Sequence, residues 1–294
     1  MARAPAAVRA LRPRQWTKNL AVFAPLLFAR AVTVPGAAWH AFLAFAAFCL
    51  LASGLYVVND WVDQAQDRLH PEKKLRPIAA GELGTGAAFA LVAACWIAGG
   101  ALAFLASPNV PPTALAYVLV QLAYTFWLKR YVIVDVLVIA TGFVLRVFGG
   151  AAAINVPVSN WLFLCALLLA LFLALAKRRA ELVSLEGAAP GHRPALADYS
   201  VPLLDQMLTL VAGTCIVAYA LYTVALDTVE KVGSDRMKYT VPFVVYGILR
   251  YLYLIQRRGA GGSPERVLLS DTPTLVNLGI YLATVGWVLF GRVR

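Results

Sequence analysis

The feature that most limits this chain is a series of long uncharged runs. One of them, WHAFLAFAAFCLLASGLYVV, fills residues 39–58 and carries no charge when His40 is neutral. A helix needs about 20 such residues to cross the hydrocarbon core of a bilayer. No water is available there, so a spanning backbone must satisfy its own hydrogen bonds, as a helix or a closed barrel. The runs are continuously apolar rather than alternating, which selects the helix. Composition agrees: 61% of the residues are hydrophobic and 14% are charged, against roughly 25% charged in a water-soluble domain. The expected fold class is all-α. It is a polytopic membrane helical bundle, a single domain over residues 1–294. About nine transmembrane helices are expected, near residues 19–34, 38–58, 85–106, 112–128, 131–153, 159–176, 203–226, 239–256 and 272–290. The first is the shortest. Only eleven residues, Asn19 to Ala29, separate Lys18 from Arg30, so its charged flanks must snorkel outward.

The charges give the orientation. With the spans placed as above, eighteen Lys and Arg fall on the side of the N-terminus and six on the other, with Arg146 and Arg250 inside spans. The positive-inside rule then puts the N-terminus in the cytoplasm and, after nine crossings, the C-terminus outside. The net charge of +11 is spread over the connections. It therefore reads as membrane topology and not as a nucleic-acid surface. Cys49, Cys95, Cys165 and Cys215 all lie inside apolar runs with no CxxC spacing, as small buried hydrophobes do; neither a disulfide framework nor a zinc site is implied. The basic start, MARAPAAVRALRPRQWTKN, is followed by no cleavage-site pattern and reads as part of the mature protein. The setting expected is a bacterial-type inner membrane, crossed many times, with the working face in the cytoplasm, where the longer connections lie. The sequence leaves the oligomeric state open, a homo-oligomer included.

Few charges are available, and many are spent in one place: NDWVDQAQDRLHPEKKLRPIAAG, residues 59–81. Asp60, Asp63 and Asp67 are spaced i, i+3, i+7, which puts them on one face of a helix. Three like charges repel unless a cation compensates. Mg²⁺ suits the position, because it takes oxygen ligands, keeps waters and bridges a few carboxylates to substrate phosphates. Asn59 adds an amide. Arg68, Lys73, Lys74 and Arg76 follow directly and suit phosphate oxygens. The competing account is a solvated helix end whose acids and bases pair locally. His70 beside Pro71 suits a turn better than a catalytic base, and His192 stands alone in a Gly/Pro-rich loop.

Elsewhere each candidate carries two readings. Arg12, Arg14, Lys18 and Asn19 in RPRQWTKN fit a clamp for a phosphorylated lipid head group; they equally fit an interfacial anchor with Trp16 in the aromatic belt. Asp135 and Arg146 sit within one expected span, where a charge costs about 2.5–3.5 kcal/mol on insertion scales and so faces a cavity or a partner. Asp135 suits either a substrate contact or an ion pair, and Arg146 a structural role. In ADYSVPLLDQM, Asp198 or Ser200 can cap the following helix with Pro202 in its first turn, while Tyr199 and Asp205 can line a cavity. GGSPERVLLSD reads as a surface loop.

The acidic stretch resembles the first acidic motif of the UbiA superfamily of intramembrane prenyltransferases, whose members are nine-helix bundles with a cytoplasmic-facing cavity. A narrower resemblance rests on LRPRQWTKN, VDVLVIATGFVLRVFGGAAA, AKRRAEL, YTVPFVVYGILRYLYLI and GGSPERVLLSD. These are similar to the decaprenyl-phosphate phosphoribosyltransferase branch. Where aromatic prenyltransferases of the superfamily carry a second acidic motif, DxxxD, this chain reads LALAKRRAELVSL, with Lys177, Arg178 and Arg179 against one acid, Glu181. A reaction between two phosphorylated substrates needs basic partners for the extra anions. The resemblance thus implies transfer of 5-phosphoribosyl from phosphoribosyl pyrophosphate (PRPP) to a polyprenyl phosphate. Mg²⁺ would sit on Asp60 and Asp63, with Asp67 as a third ligand, and these three are the catalytic candidates. Lys177, Arg178 and Glu181 would serve a phosphorylated substrate. The alternative is a prenyltransferase that moves a prenyl group from a prenyl diphosphate to an aromatic or other acceptor.

Overall fold

In a computed structural model of the chain, residues 5–69, 73–184, 194–258 and 270–290 are described. His70, Pro71, His192 and most of GGSPERVLLSD lie outside them. Every regular element among the described residues is helical, as the long apolar runs require. The chain divides into two compact units, residues 1–158 and 159–294.

The first unit contains α1 (Ala6–Leu11), a 3-10 segment (Pro13–Phe23), α2 (Ala24–Phe28), α3 (Ala37–Val62), α4 (Gln64–Leu69), α5 (Thr85–Ala106), α6 (Val110–Phe126) and α7 (Val134–Ala153). At its centre is α3, which packs against α5, α6 and α7. Its buried Ala37, Ala41, Ala44 and Ala47 recur every three or four residues, forming a stripe of small side chains that lets helices approach closely. Two glycines are fixed by that closeness. A Cβ at Gly54 would lie 2.3 Å from Nε1 of Trp96 on α5, and one at Gly150 on α7 only 1.9 Å from the Val22 carbonyl oxygen.

The second unit contains α8 (Asn160–Ser184), α9 (Pro194–Ala197), α10 (Val201–Val224), α11 (Leu226–Val232), α12 (Val241–Arg258) and α13 (Thr272–Phe290). Here α10 packs on α8 and α12, and α12 on α13. Ser200, not Asp198, caps α10: its hydroxyl accepts from the Leu203 amide at 3.3 Å, with Pro202 in the first turn.

Among the described residues, six helices are long and apolar enough to cross a membrane: α3, α5, α7, α8, α10 and α13; α6 is a shorter apolar helix. These match seven of the expected spans. The expected span at 239–256 is helical from Val241 as α12 and carries Arg250, with Arg257 and Arg258 following at the end of the helix. The expected span at 19–34 is corrected. It consists of the end of the 3-10 segment, the five-residue α2, a left-handed residue at Arg30 (φ 55°) and a second 3-10 turn, Ala31–Thr33. Pro25 lacks the N–H group that a continuous α-helix would use, and the positive φ at Arg30 ends whatever helix remains.

Candidate active site

The acidic stretch sits at the C-terminal end of α3, and the structure modifies the expected single carboxylate face. The α-helix stops at Val62; Asp63 follows at φ −89°, ψ 5°, and α4 resumes at Gln64. The three carboxylates are shared among different cations. Asp60, 2% exposed, meets both Arg12 and Arg76. Asp67, also buried, meets Arg76. Asp63 turns instead to Lys129, 2.5 Å away, and accepts from the Asn59 amide at 3.1 Å. The division follows from like-charge repulsion, since each buried carboxylate needs a cation of its own or a shared one.

Arg76, from the basic run, reaches two of the acids. Its Nη1 lies 3.1 Å from Asp60 and 2.5 Å from Asp67. One cationic atom therefore touches oxygens from two carboxylates, and a pair converging on a single positive position is a donor set that fits a hard divalent cation. Among the described residues, no group of three His, Cys, Asp or Glu side chains surrounds one point. The remaining basic residues are placed differently. Arg68 donates through Nε to the Ala79 carbonyl at 3.2 Å. Lys73 is half-buried and Lys74 exposed. Gln64 donates to the Ile78 carbonyl at 3.0 Å, Arg9 pairs with Glu82 at 2.6 Å and donates to the Leu75 carbonyl at 2.9 Å, and Gly81 turns the chain at φ 76°. The loop after α4 is thus tied down on both sides, which presents Arg76 to the acids.

Arg12 and Lys129 complete the cluster, and sequence reasoning gave neither this role. Arg12 was read as part of a head-group clamp, and Lys129 counted only toward topology. A signal for Lys129 existed in its position, a two-residue basic link squeezed between apolar runs. The structure places it on the short 3-10 turn Leu128–Arg130. Next comes a strained γ-turn: Ile133 has φ 67°, ψ −47°, and the Val134 amide bonds the Val132 carbonyl at 2.7 Å. A β-branched residue in that conformation is costly and persists only where its surroundings hold it.

The expected clamp RPRQWTKN is dispersed. Arg14 is exposed and Lys18 half-buried. Asn19 is 1% exposed, with its amide oxygen accepting from Arg146 and its nitrogen directed at Cys49. Trp16 is turned inward to Ser53 at 3.0 Å rather than out to an aromatic belt. Asp135 is buried in the first turn of α7.

In the second unit, AKRRAEL lies near the end of α8. Arg178, 1% exposed, pairs with Glu181 at 2.6 Å. Arg179 makes a two-pronged contact with Asp205, at 2.5 and 3.3 Å, and reaches the Ile255 carbonyl at 3.4 Å, tying α8 to α10 and α12. Asp205 is thereby a structural partner. Lys177 is half-buried and Tyr199 buried. Further along, Arg250 grips Asp271 at 2.8 and 3.1 Å, while Asp271 accepts from the amide and hydroxyl of Thr274 at the start of α13. The Arg250 guanidinium and the Thr274 donors hold the Asp271 carboxyl well below the usual carboxylate range.

A model of the UbiA prenyltransferase family matches residues 20–269. A decaprenyl-phosphate phosphoribosyltransferase of Mycolicibacterium smegmatis is 33% identical over 96% of this chain and 92% of its own length. Another from Corynebacterium glutamicum is 35% identical over 90% of this chain and 80% of its own. Among solved structures, a UbiA homolog from Archaeoglobus fulgidus bound to GPP and Mg²⁺ superposes with a TM-score of 0.74. The two are 20% identical, and the match covers 97% of this chain and 99% of that one.

Proposed function

Since the chain belongs to the UbiA prenyltransferase family, we propose that it is a transferase moving 5-phosphoribosyl from PRPP to a polyprenyl phosphate, with release of pyrophosphate, at the cytoplasmic face of the membrane. The observation that carries the reading is the pair of charge patterns. One is a carboxylate cluster that converges on a single cationic position, Arg76. The other is a buried Arg178 where prenyl-diphosphate enzymes of the resemblance carry a second acidic motif. Relatives bearing the phosphoribosyltransferase name over nearly the whole chain support it.

In this reading Asp60 and Asp67, which converge on the Arg76 position, would hold a divalent cation with Asp63 as a further ligand, and the cation would supply positive charge at the departing pyrophosphate. Asn59 orients Asp63. Arg76 and Lys129, already at the carboxylates, turn donors toward pyrophosphate oxygens as negative charge develops there. Arg68, Lys73 and Lys74 extend this basic flank. The bond from ribose C1 to the pyrophosphate oxygen breaks, and a lipid phosphate oxygen bonds C1 from the opposite face, with inversion. That oxygen is ionised at neutral pH, so the step calls for no general base. Lys177 and Arg178, with Glu181 fixing Arg178, take the second phosphorylated group; Arg14 and Lys18 lie along the lipid head group, and Asp135 and Tyr199 contact substrate.

The family itself supplies a second reading, prenyl transfer from a prenyl diphosphate to an aromatic or other acceptor, using the same carboxylates. The experiment offers purified protein with Mg²⁺ two donor–acceptor pairs: PRPP with decaprenyl phosphate, and a prenyl diphosphate with an aromatic acid. Ribosylated lipid alone supports the proposal. Prenylated aromatic without ribosylated lipid replaces it with the second reading.

A further inference from the structure

Cys49, Ser53, Tyr56 and Asp60 recur along α3 at spacings of four, three and four, which places them on one face. The N-terminal segment runs down that face in the opposite direction. Asn19 directs its amide nitrogen at Cys49 Sγ (3.2 Å), and Trp16 donates to Ser53 (3.0 Å). Ser53 in turn donates to the Leu11 carbonyl (2.8 Å). Arg12 lies over the Tyr56 ring, 5.4 Å from its centroid, and ends on Asp60. As the segment number falls from 19 to 12, the α3 number rises from 49 to 60. Each contact therefore fixes the register of the next.

The other wall of this seat is α7. Arg146 and Gly150, one turn apart, face the segment. Arg146 Nε donates to Asn19 at 2.6 Å, and Gly150 leaves room for the Val22 carbonyl. Arg146 is 5% exposed. Its other donors go to the Gly142 carbonyl at 2.8 Å and the Tyr117 hydroxyl at 2.7 Å, and its guanidinium lies over the rings of Tyr117 and Phe143. Among the described residues, every one of these partners is neutral. A buried cation of this kind is costly unless all its donors are used, so Arg146 holds Asn19 in one place. At the far end of the segment the backbone of Arg12 is left-handed, φ 52°. A non-glycine residue keeps that conformation only when its surroundings impose it, and here it aims the guanidinium at Asp60.

We propose that Arg146 is a positioning residue. Through Asn19 it sets the register of the N-terminal segment on α3 and so holds Arg12 against Asp60. The proposal rests on the reading of Asp60 as part of the pyrophosphate site, and two measurements separate the failure of one from that of the other. The first uses the substrate-free protein in detergent: trypsin cleavage after Arg14 and Lys18, read by mass spectrometry, in Arg146→Met, Asn19→Leu and Asn19→Asp. Arg146→Met and Asn19→Leu are expected to speed that cleavage about tenfold or more, the loss of a charge-assisted hydrogen bond. Asn19→Asp, which keeps the acceptor, stays near wild type. The second is a double-mutant cycle on turnover with PRPP and decaprenyl phosphate. Arg146→Met and Arg12→Ala each lower kcat/KM, and the double variant is no worse than Arg12→Ala, because Arg146 acts through Arg12. Unchanged cleavage overturns the proposal, and so do additive losses in the cycle. Faster cleavage in a protein whose wild type makes no ribosylated lipid overturns the functional reading and leaves the seat as described.

Discussion

A single nitrogen of Arg76 bridges Asp60 and Asp67, at 3.1 and 2.5 Å. Asp60 has a second cation in Arg12, whereas Asp67 is paired with Arg76. Among the described residues Asp67 has no other cation, so Arg76→Met strands a buried carboxylate, at a cost of about 3–5 kcal/mol. Thermal unfolding in detergent should show that loss together with collapse of turnover. Asp67→Asn, which removes the charge instead of stranding it, should lose turnover with a smaller fall in Tm. Equal Tm losses in the two variants would contradict this account of the bridge.

Lys129 pairs with Asp63 at a largely buried position, with side chains 14% and 17% accessible, and Asn59 also donates to Asp63, so removing Lys129 costs about 1–3 kcal/mol. Lys129→Met is expected to lower kcat/KM severalfold with a modest fall in Tm, and Lys129→Arg to recover part of both. Wild-type kinetics in Lys129→Met would return the residue to a topological role.

Arg178→Ala should raise KM for the lipid phosphate more than KM for PRPP. Glu181, 27% exposed, can then find solvent, so the variant should still fold. Equal effects on both substrates would argue for a general packing role.

The Asp271 carboxyl is held below its ordinary value by Arg250 and Thr274. A depressed carboxylate contributes stability that is fully present above its unfolded pKa, about 3.9, and is lost as pH falls through the lower folded value. The Tm difference between wild type and Asp271→Asn should therefore be constant from pH 7 to 5 and shrink below pH 4. A difference that grows on acidification would reverse the sign of this contribution.

How much of this was legible in the sequence differs from residue to residue. The long apolar runs marked seven spans as helices because a bilayer leaves a backbone few options. The spacing of Asp60, Asp63 and Asp67 marked a charged cluster beside Arg76. What local spacing does not encode is which distant cation each acid takes. Lys129 is sixty-six residues from Asp63, and Arg12 is forty-eight from Asp60. The first expected span misled because its hydropathy suited a helix while Pro25 and Arg30 denied it the geometry. Asn19, polar and next to Lys18, looked like a head-group contact. It is buried against Arg146, and nothing near it in sequence announces that partner.

The central claim is that PRPP is the donor and that its pyrophosphate leaves from the carboxylate cluster. The most direct measurement follows two radiolabels with wild type and Asp60→Asn, in the presence of Mg²⁺ and decaprenyl phosphate. PRPP labelled at the 5-phosphate should deliver its label to the lipid phase. PRPP labelled in the pyrophosphate should leave its label in water, and Asp60→Asn should abolish the transfer while remaining folded. Pyrophosphate label in the lipid, or undiminished transfer by Asp60→Asn, would contradict the account.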